Sequence, residues 1–329
     1  MKTIHTSITD LLNLRHPLIL APMGGASGAK LASAVSQAGG LGLVGASYGD
    51  EQWMRKELEP MRKISEPWGV GLVMFTVAKN MGLLDLALTY EPSVIALSFG
   101  DARPFVPLIH ESGAKVIVQI HELDQAKAAI DAGADALIVQ GAEAGGHSYR
   151  RGLMPLLPAV RDMVGETYPL IAAGGIADGR GMAAALMLGA DGAMLGTRFL
   201  ASEEALPSSA YKQRLIRSAT ANTVRTRIFD LVRGIEWPAE YSGRAIANHF
   251  SETWLGRDQE LLQAPDFVRE RYAKAVEEDD LNSRVIWAGE VLDMIEDVRP
   301  AAELVEHIKN DTLRVIRQVQ RLQSSPETA

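Results

Sequence analysis

His147 follows Gly145 and Gly146 at the close of Val139-Gln140-Gly141-Ala142-Glu143-Ala144-Gly145-Gly146-His147-Ser148, where a short apolar run, Ala136 to Val139, gives way to glycines. Glycine lets main chain approach a ligand closely, and an imidazole accepts, donates or exchanges a proton near neutral pH. A strand that delivers both to one point builds a site around an exposed histidine. The alternative is a loop in which His147 bonds only to its neighbours. Other groups for chemistry are limited. The chain has no cysteine, which removes disulfides, a thiolate nucleophile and iron–sulfur ligation. Its seven histidines show no metal-ligand spacing, so no metal site is expected. Ser148 beside His147 does not by itself make a triad.

Such a histidine needs a frame, and the first two hundred residues repeat one unit: a helical stretch, a glycine stop, then a short apolar run. The stops are Gly39-Gly40 before Leu41 to Val44, Gly113 before Lys115 to Val118, Gly133 before Ala136 to Val139, and Gly189 before Gly192 to Leu195. Glycine just past a helix end takes the left-handed conformation that other residues resist. Continuous apolar runs imply strands covered on both faces, as in a parallel sheet flanked by helices. The expected strands are Leu18 to Ala21, Leu41 to Val44, Val70 to Val73, Val94 to Leu97, Val116 to Val118, Ala136 to Val139, Leu170 to Ala172 and Ala193 to Leu195. Helices are expected over Lys30 to Ala38, Glu51 to Arg62, Leu83 to Tyr90, Phe105 to Glu111, Leu123 to Ala132, Leu156 to Val164 and Gly181 to Leu188. This alternation predicts an α/β fold, a (β/α)8 TIM barrel, with a doubly wound open sheet as the alternative.

After Leu200 the pattern changes to charged, irregular segments, Arg225 to Arg233 and Trp237 to Phe250, followed by a helical Ala264 to Glu278. The division expected is a barrel over residues 1–206, a helical substrate-side region over 207–284 and a return to the barrel over 285–329. In the last part Leu304, Val305, Ile308, Val315, Ile316, Val319 and Leu322 recur at helical spacing and predict one apolar stripe, with Ser324 to Ala329 as a frayed tail. The formal charge is −8 and no long basic run occurs, so a small-molecule ligand fits better than nucleic acid. No targeting segment or spanning apolar stretch is seen, which predicts a soluble, cytoplasmic protein with no membrane partner.

In a barrel of this kind the loops after the strands share one rim, and phosphate commonly sits on the loops after strands seven and eight. Here those loops carry Ala173-Gly174-Gly175 and Gly196-Thr197. Main-chain N–H groups freed by glycine, with the Thr197 hydroxyl, make an anion-binding concavity without any lysine, although each cluster alone also suits a tight turn. Ala21-Pro22-Met23-Gly24-Gly25 closes the first strand and permits a flat group to stack on the chain, or serves as a turn in which Ser27 caps the helix near Lys30. Gln119 brings an amide to the same rim, for a heterocycle or for a neighbouring loop. Trp237, Tyr241, His249, Phe250 and Trp254 form an aromatic-rich patch, either packing or a lid.

At these residues the chain resembles the nitronate monooxygenase family, formerly called 2-nitropropane dioxygenases, which are FMN-containing (β/α)8 barrels. The likeness rests on Ala21-Pro22-Met23-Gly24-Gly25, Glu143-Ala144-Gly145-Gly146-His147, Ala173-Gly174-Gly175-Ile176-Ala177-Asp178-Gly179-Arg180-Gly181, Gly189-Ala190-Asp191 with Gly196-Thr197-Arg198-Phe199, and Ile286-Trp287-Ala288-Gly289. The resemblance implies FMN as cofactor, lined by Ala21, Pro22 and Met23, edged by Gly145, and held at its phosphate by Gly174, Gly175, Gly196 and Thr197. It places Gln119 near the pyrimidine end, where many members carry lysine, and Gly71 where relatives often carry asparagine. His147 faces substrate, as a base or as an anion stabiliser. The implied reaction oxidises alkyl nitronates with O2 to a carbonyl compound and nitrite, in a possible homo-oligomer. An NADH-dependent quinone or enoyl-carrier-protein reductase on the same fold, a flavin-free phosphosugar barrel and a non-enzymatic flavin-storing barrel are the competing readings.

Overall fold

The computed structural model describes residues 3–46 and 48–322, with side chains as far as Val319. Eleven strands occur in chain order: β1 (Leu18–Leu20), β2 (Gly42–Gly45), β3 (Trp68–Val73), β4 (Val94–Ser98), β5 (Lys115–Ile120), β6 (Ala136–Gln140), β7 (Gly146–Ser148), β8 (Leu170–Ala173), β9 (Gly192–Leu195), β10 (Thr223–Thr226) and β11 (Ser242–Ile246). Eight of them pair in parallel in the order β1-β9-β8-β6-β5-β4-β3-β2. A parallel bridge between Ile19 and Leu41 joins the two ends, so the sheet closes and the (β/α)8 barrel is the observed fold.

The barrel strands read as continuous apolar runs because both faces are buried. Ile19, Leu43, Ala96, Ile117, Ile138, Ile171 and Met194 point inward and fill the barrel, whose lower mouth is plugged by Ile8 and Leu12 of the helix Ser7–Leu12. Their alternates, among them Leu20, Val44, Val70, Leu97, Val118, Val139 and Leu195, pack outward against the helical ring. On β2 the packing is so close that a methyl group on Gly42 would fall 1.8 Å from the carbonyl oxygen of Ala32.

Beyond the barrel the chain is more ordered than its charged sequence suggests. The Arg225–Arg233 and Trp237–Phe250 stretches, expected to be irregular, hold the end of β10, the helix Ile228–Arg233 and strand β11. The antiparallel sheet runs β10-β11-β7, so β7 belongs to this added layer although it follows directly on the barrel strand β6. Arg225 ties the layers together. Its Nη2 donates to the carbonyl of Ala142 at 2.7 Å and to Ser148 Oγ at 2.8 Å, and its Nη1 donates to the carbonyl of Ser242 at 2.8 Å. Three helices follow, at His249–Trp254, Asp258–Leu262 and Asp266–Glu277.

The C-terminal helix Ala301–Leu322 returns to the barrel. Leu304, Val305 and Ile308 are buried, Val315 and Ile316 are half-buried, and Val319 is exposed, so the apolar stripe fades along its length. The side chain of Leu322 and the expected tail Ser324 to Ala329 lie outside the described residues.

Candidate active site

The ends of the barrel strands converge on one cavity that is lined by all of Ala21, Pro22, Met23, Gly71, Gln119, Gly145, His147, Gly174, Gly175, Gly196 and Thr197. Its floor is built by close approach of main chain. The first loop is folded by Ser27, whose Oγ accepts from Met23 N at 2.7 Å. Ser27 therefore does not cap the following helix: that helix starts at Ala29 with Gly28 as its N-cap, and Ala29 N donates to the Glu57 carboxylate at 2.9 Å. Pro22 lies flat on β3, where a methyl group on Gly71 would come within 2.1 Å of its Cβ. Any side chain at position 71, asparagine included, would drive Pro22 off the strand. Gly145 and Gly289 cross in the same way: a methyl group on Gly145 would meet Gly289 N at 2.6 Å.

At the far end Gly174 and Gly175 both hold positive φ, 94° and 70°. Side chains there would be strained, and one on Gly174 would reach the Gly141 carbonyl at 2.9 Å. The N–H groups of Gly174, Gly175 and Gly196 have no protein acceptor among the described residues. Thr197 Oγ1 accepts from Gly289 N at 3.0 Å, which leaves its own proton to donate. Unpaired N–H groups beside such a hydroxyl form an anion cradle, and the terminal phosphate of a mononucleotide suits it.

The cavity's amide end is a three-residue network. Gln119 Nε2 donates to Gln140 Oε1 at 3.1 Å, and His121 Nε2 donates to the same oxygen at 2.7 Å. Gln119 thus bonds its neighbour and lines the cavity at once. His121 is 1% exposed and lies between the rings of Phe99 and Tyr149, each tilted 24° from it. Neither Gln140 nor His121 was expected, although Gln140 ends β6 and His121 directly follows β5, two residues beyond Gln119. Burial removes water from the His121 imidazole and pulls its pKa down to about 4. Unfolded, the same ring binds a proton near 6.5, so its contribution to stability is complete above 6.5 and is lost as pH falls toward 4. The loss expected over that window is roughly 3 kcal/mol at the ordinary 1.36 kcal/mol per pH unit. Denaturant unfolding of His121→Asn across the same window should show a flatter pH dependence than wild type; an unchanged slope would assign the acid sensitivity to other groups.

His147 departs from the exposed loop position expected of it. It sits on β7, within the added layer, and is 7% exposed. Its Nε2 lies 2.8 Å from Asp230 Oδ2, and Asp230 is itself 1% exposed. Trp237 stacks on the imidazole at 3.6 Å between centres and 5° from parallel. Burial lowers the His147 pKa; Asp230 opposes that shift through its hydrogen bond and charge, while Arg233 and Arg225 reinforce it. The neutral ring then donates Nε2–H to Asp230 and keeps its lone pair on Nδ1, as in a base held by a carboxylate. The aromatic patch divides. Trp237 and Tyr241 pack around Phe99, Phe250 and Trp254 pack with each other away from the cavity, and His249 is exposed. Among the described residues no group of three or more His, Cys, Asp or Glu is placed to hold a metal, and no helix is long and apolar enough to cross a membrane.

A closed parallel barrel with unpaired glycine N–H groups after its last two barrel strands, an amide network at the other end and a carboxylate-held histidine on the cavity wall defines a barrel with one built ligand site. The chain belongs to the nitronate monooxygenase family, whose model matches residues 5–81 and 70–311, and it is accordingly a flavin-dependent oxidoreductase. It is 33% identical to nitronate monooxygenase npaC of Metarhizium robertsii over 93% of each chain. It is 34% identical to (3aS,4S,5R,7aS)-5-hydroxy-7a-methyl-1-oxo-octahydro-1H-indene-4-carboxyl-CoA dehydrogenase of Mycobacterium tuberculosis, over 69% of this chain and 64% of that one. Among solved structures, FabK from Thermotoga maritima superposes with a TM-score of 0.86 at 29% identity, covering 97% of this chain and all of that one.

Proposed function

We propose that the protein oxidises small alkyl nitronates with dioxygen to a carbonyl compound and nitrite, using FMN. The observation that carries this reading is the buried His147–Asp230 pair, 2.8 Å apart, on the wall of the cavity that ends in the glycine cradle. In this reading Gly174, Gly175, Gly196 and Thr197 hold the phosphate, Ala21, Pro22 and Met23 lie along the ring system with Gly71 beneath Pro22, Gly145 edges it, and Gln119 with Gln140 meets its polar edge. Bound flavin supplies the electron transfer from substrate carbon. His147 supplies proton chemistry: Nδ1 takes the α-proton of a neutral nitroalkane while Asp230 holds Nε2–H, and a preformed nitronate needs no such step. Trp237 and Phe99 keep water from the reacting carbon.

A second reading, an NADH-dependent flavin reductase, draws on the likeness to FabK and to the dehydrogenase of Mycobacterium tuberculosis. The flavin-free phosphosugar reading falls with the family membership. Anaerobic mixing of the flavin-loaded protein with propyl-2-nitronate, and separately with NADH, decides between the two that remain. We expect rapid bleaching of the flavin by nitronate, nitrite release in air without NADH, and FMN in the released cofactor by mass spectrometry. Bleaching by NADH alone would overturn the nitronate reading, and released FAD would overturn the cofactor assignment.

A further inference from the structure

Among the described residues that line the cavity only Glu143 and Arg233 carry a fixed charge. Glu143 is turned to structure: its carboxylate accepts from Leu153 N at 2.9 Å at the start of the helix Leu153–Val164. Arg233 is the remaining charge. It closes the helix Ile228–Arg233 one turn beyond Asp230. Its Nη2 donates to Asp230 Oδ1 at 2.8 Å and its Nε donates to the carbonyl of Phe229 at 2.7 Å. Asp230 therefore serves two partners, with Oδ2 on His147 and Oδ1 on Arg233. The guanidinium carbon lies 5.7 Å from the ring centres of both Tyr48 and Trp287.

Such a pair is poor value for stability, because apolar side chains of similar volume hold a fold as well or better. It does hold a cation at a fixed angle in a cavity wall. Asp230 neutralises that cation, the neutral His147 adds nothing, and the guanidinium, which also meets the Tyr48 hydroxyl, keeps N–H donors beyond those given to Asp230, Phe229 and Tyr48. An anion entering the cavity meets donors on Arg233, while both Asp230 oxygens are taken by His147 and Arg233 and the Glu143 carboxylate is turned to Leu153 N. A guanidinium edge suits a planar, two-oxygen anion.

We propose that Arg233 is the substrate-binding cation of this site, receiving the two-oxygen end of a planar monoanion while His147 faces the adjoining carbon. This rests on the reading of the substrate as a nitronate, and it adds which residue holds its charge. The probe is isobutyrate, a monoanion of nearly the shape of propyl-2-nitronate that the enzyme has no means to oxidise by that route; isobutyramide is its neutral partner. Both are titrated into the FMN-loaded protein, with flavin absorbance and tryptophan fluorescence as readouts. Arg233→Met is expected to weaken isobutyrate binding by on the order of 10 to 10², the range of a charge-assisted hydrogen bond, and to leave isobutyramide within about twofold. The KM for propyl-2-nitronate should rise with it, more than kcat falls. Arg233→Lys keeps the cation but not the planar fork, and should bind isobutyrate better than Arg233→Met and less well than wild type.

The double variant Asp230→Asn/Arg233→Met removes the carboxylate that would otherwise repel the probe, and it should lose isobutyrate binding as the single variant does. Unchanged isobutyrate affinity in Arg233→Met, equal losses for isobutyrate and isobutyramide, or recovery in the double variant would each overturn the proposal. A wild-type protein that binds isobutyrate through Arg233 yet releases no nitrite would instead overturn the nitronate reading and leave the anion site standing.

Discussion

Replacing His147 by asparagine should cut turnover of neutral 2-nitropropane by on the order of 10² to 10⁴, the usual worth of a positioned general base. Preformed propyl-2-nitronate should lose far less, and the variant should keep its FMN, because the cradle lies on the loops after β8 and β9. The pH profile follows from the groups that face the ring. Burial, with the charges of Arg233 and Arg225, lowers the His147 pKa, and only Asp230 opposes them. The imidazole therefore stays neutral below its ordinary 6.5, and wild-type activity on the nitroalkane should persist through pH 6.5 and fall only in more acid solution. Asp230→Asn removes the group that favours the imidazolium, so the acid limb should move lower still, while the rate drops because the amide no longer specifies which nitrogen carries the proton. Initial rates of nitrite release on both substrate forms measure all of this. Equal losses on nitroalkane and nitronate would make His147 an anion stabiliser, and full activity on both would return it to a packing role.

The barrel was legible because its strands are short apolar runs punctuated by glycines that end helices, a signal local in sequence. Much of the cavity's lining was legible for the same reason: Pro22, Gly145, Gly174 and Gly196 are read from the residues beside them, whereas Gly71 came only with the family resemblance. Asp230 was not, because nothing in Arg225 to Arg233 marks one acid among several charges as the partner of a histidine 83 positions earlier. The same distance hid β7, whose three residues find their partner only in β11, so that His147 was expected at the surface and is buried. Phe99, at φ 61°, shows the limit from another side. A bulky residue in the left-handed region is uncommon, and here its ring meets Trp237, Tyr241, His121 and His147, contacts that no local signal in the sequence announces. Gln140 and His121 could have been found by extending to every strand end the reasoning applied to Gln119.

The second large effect is expected at the phosphate cradle. Gly175 holds φ at 70°, and a side chain there would begin 3.1 Å from Glu143 Cβ. Asparagine and aspartate tolerate that backbone region best among the residues with side chains, so the two can be compared at nearly equal strain. They differ in charge. Gly175→Asp sets a carboxylate against a phosphate dianion, and one pair of unit charges about 4 Å apart at an effective dielectric of about 20 repels by about 4 kcal/mol. Solvent at the cavity mouth reduces this, and a loss of FMN affinity of on the order of 10² to 10³ is expected for aspartate, against roughly tenfold or less for asparagine. Fluorescence titration of the apoprotein with FMN and with riboflavin isolates the cause, because riboflavin lacks the phosphate. Its affinity should fall equally in the two variants, by no more than the strain they share. If FMN and riboflavin weaken together in Gly175→Asp, or if aspartate and asparagine behave alike, the phosphate binds elsewhere and the unpaired N–H groups of Gly174, Gly175 and Gly196 need another anion.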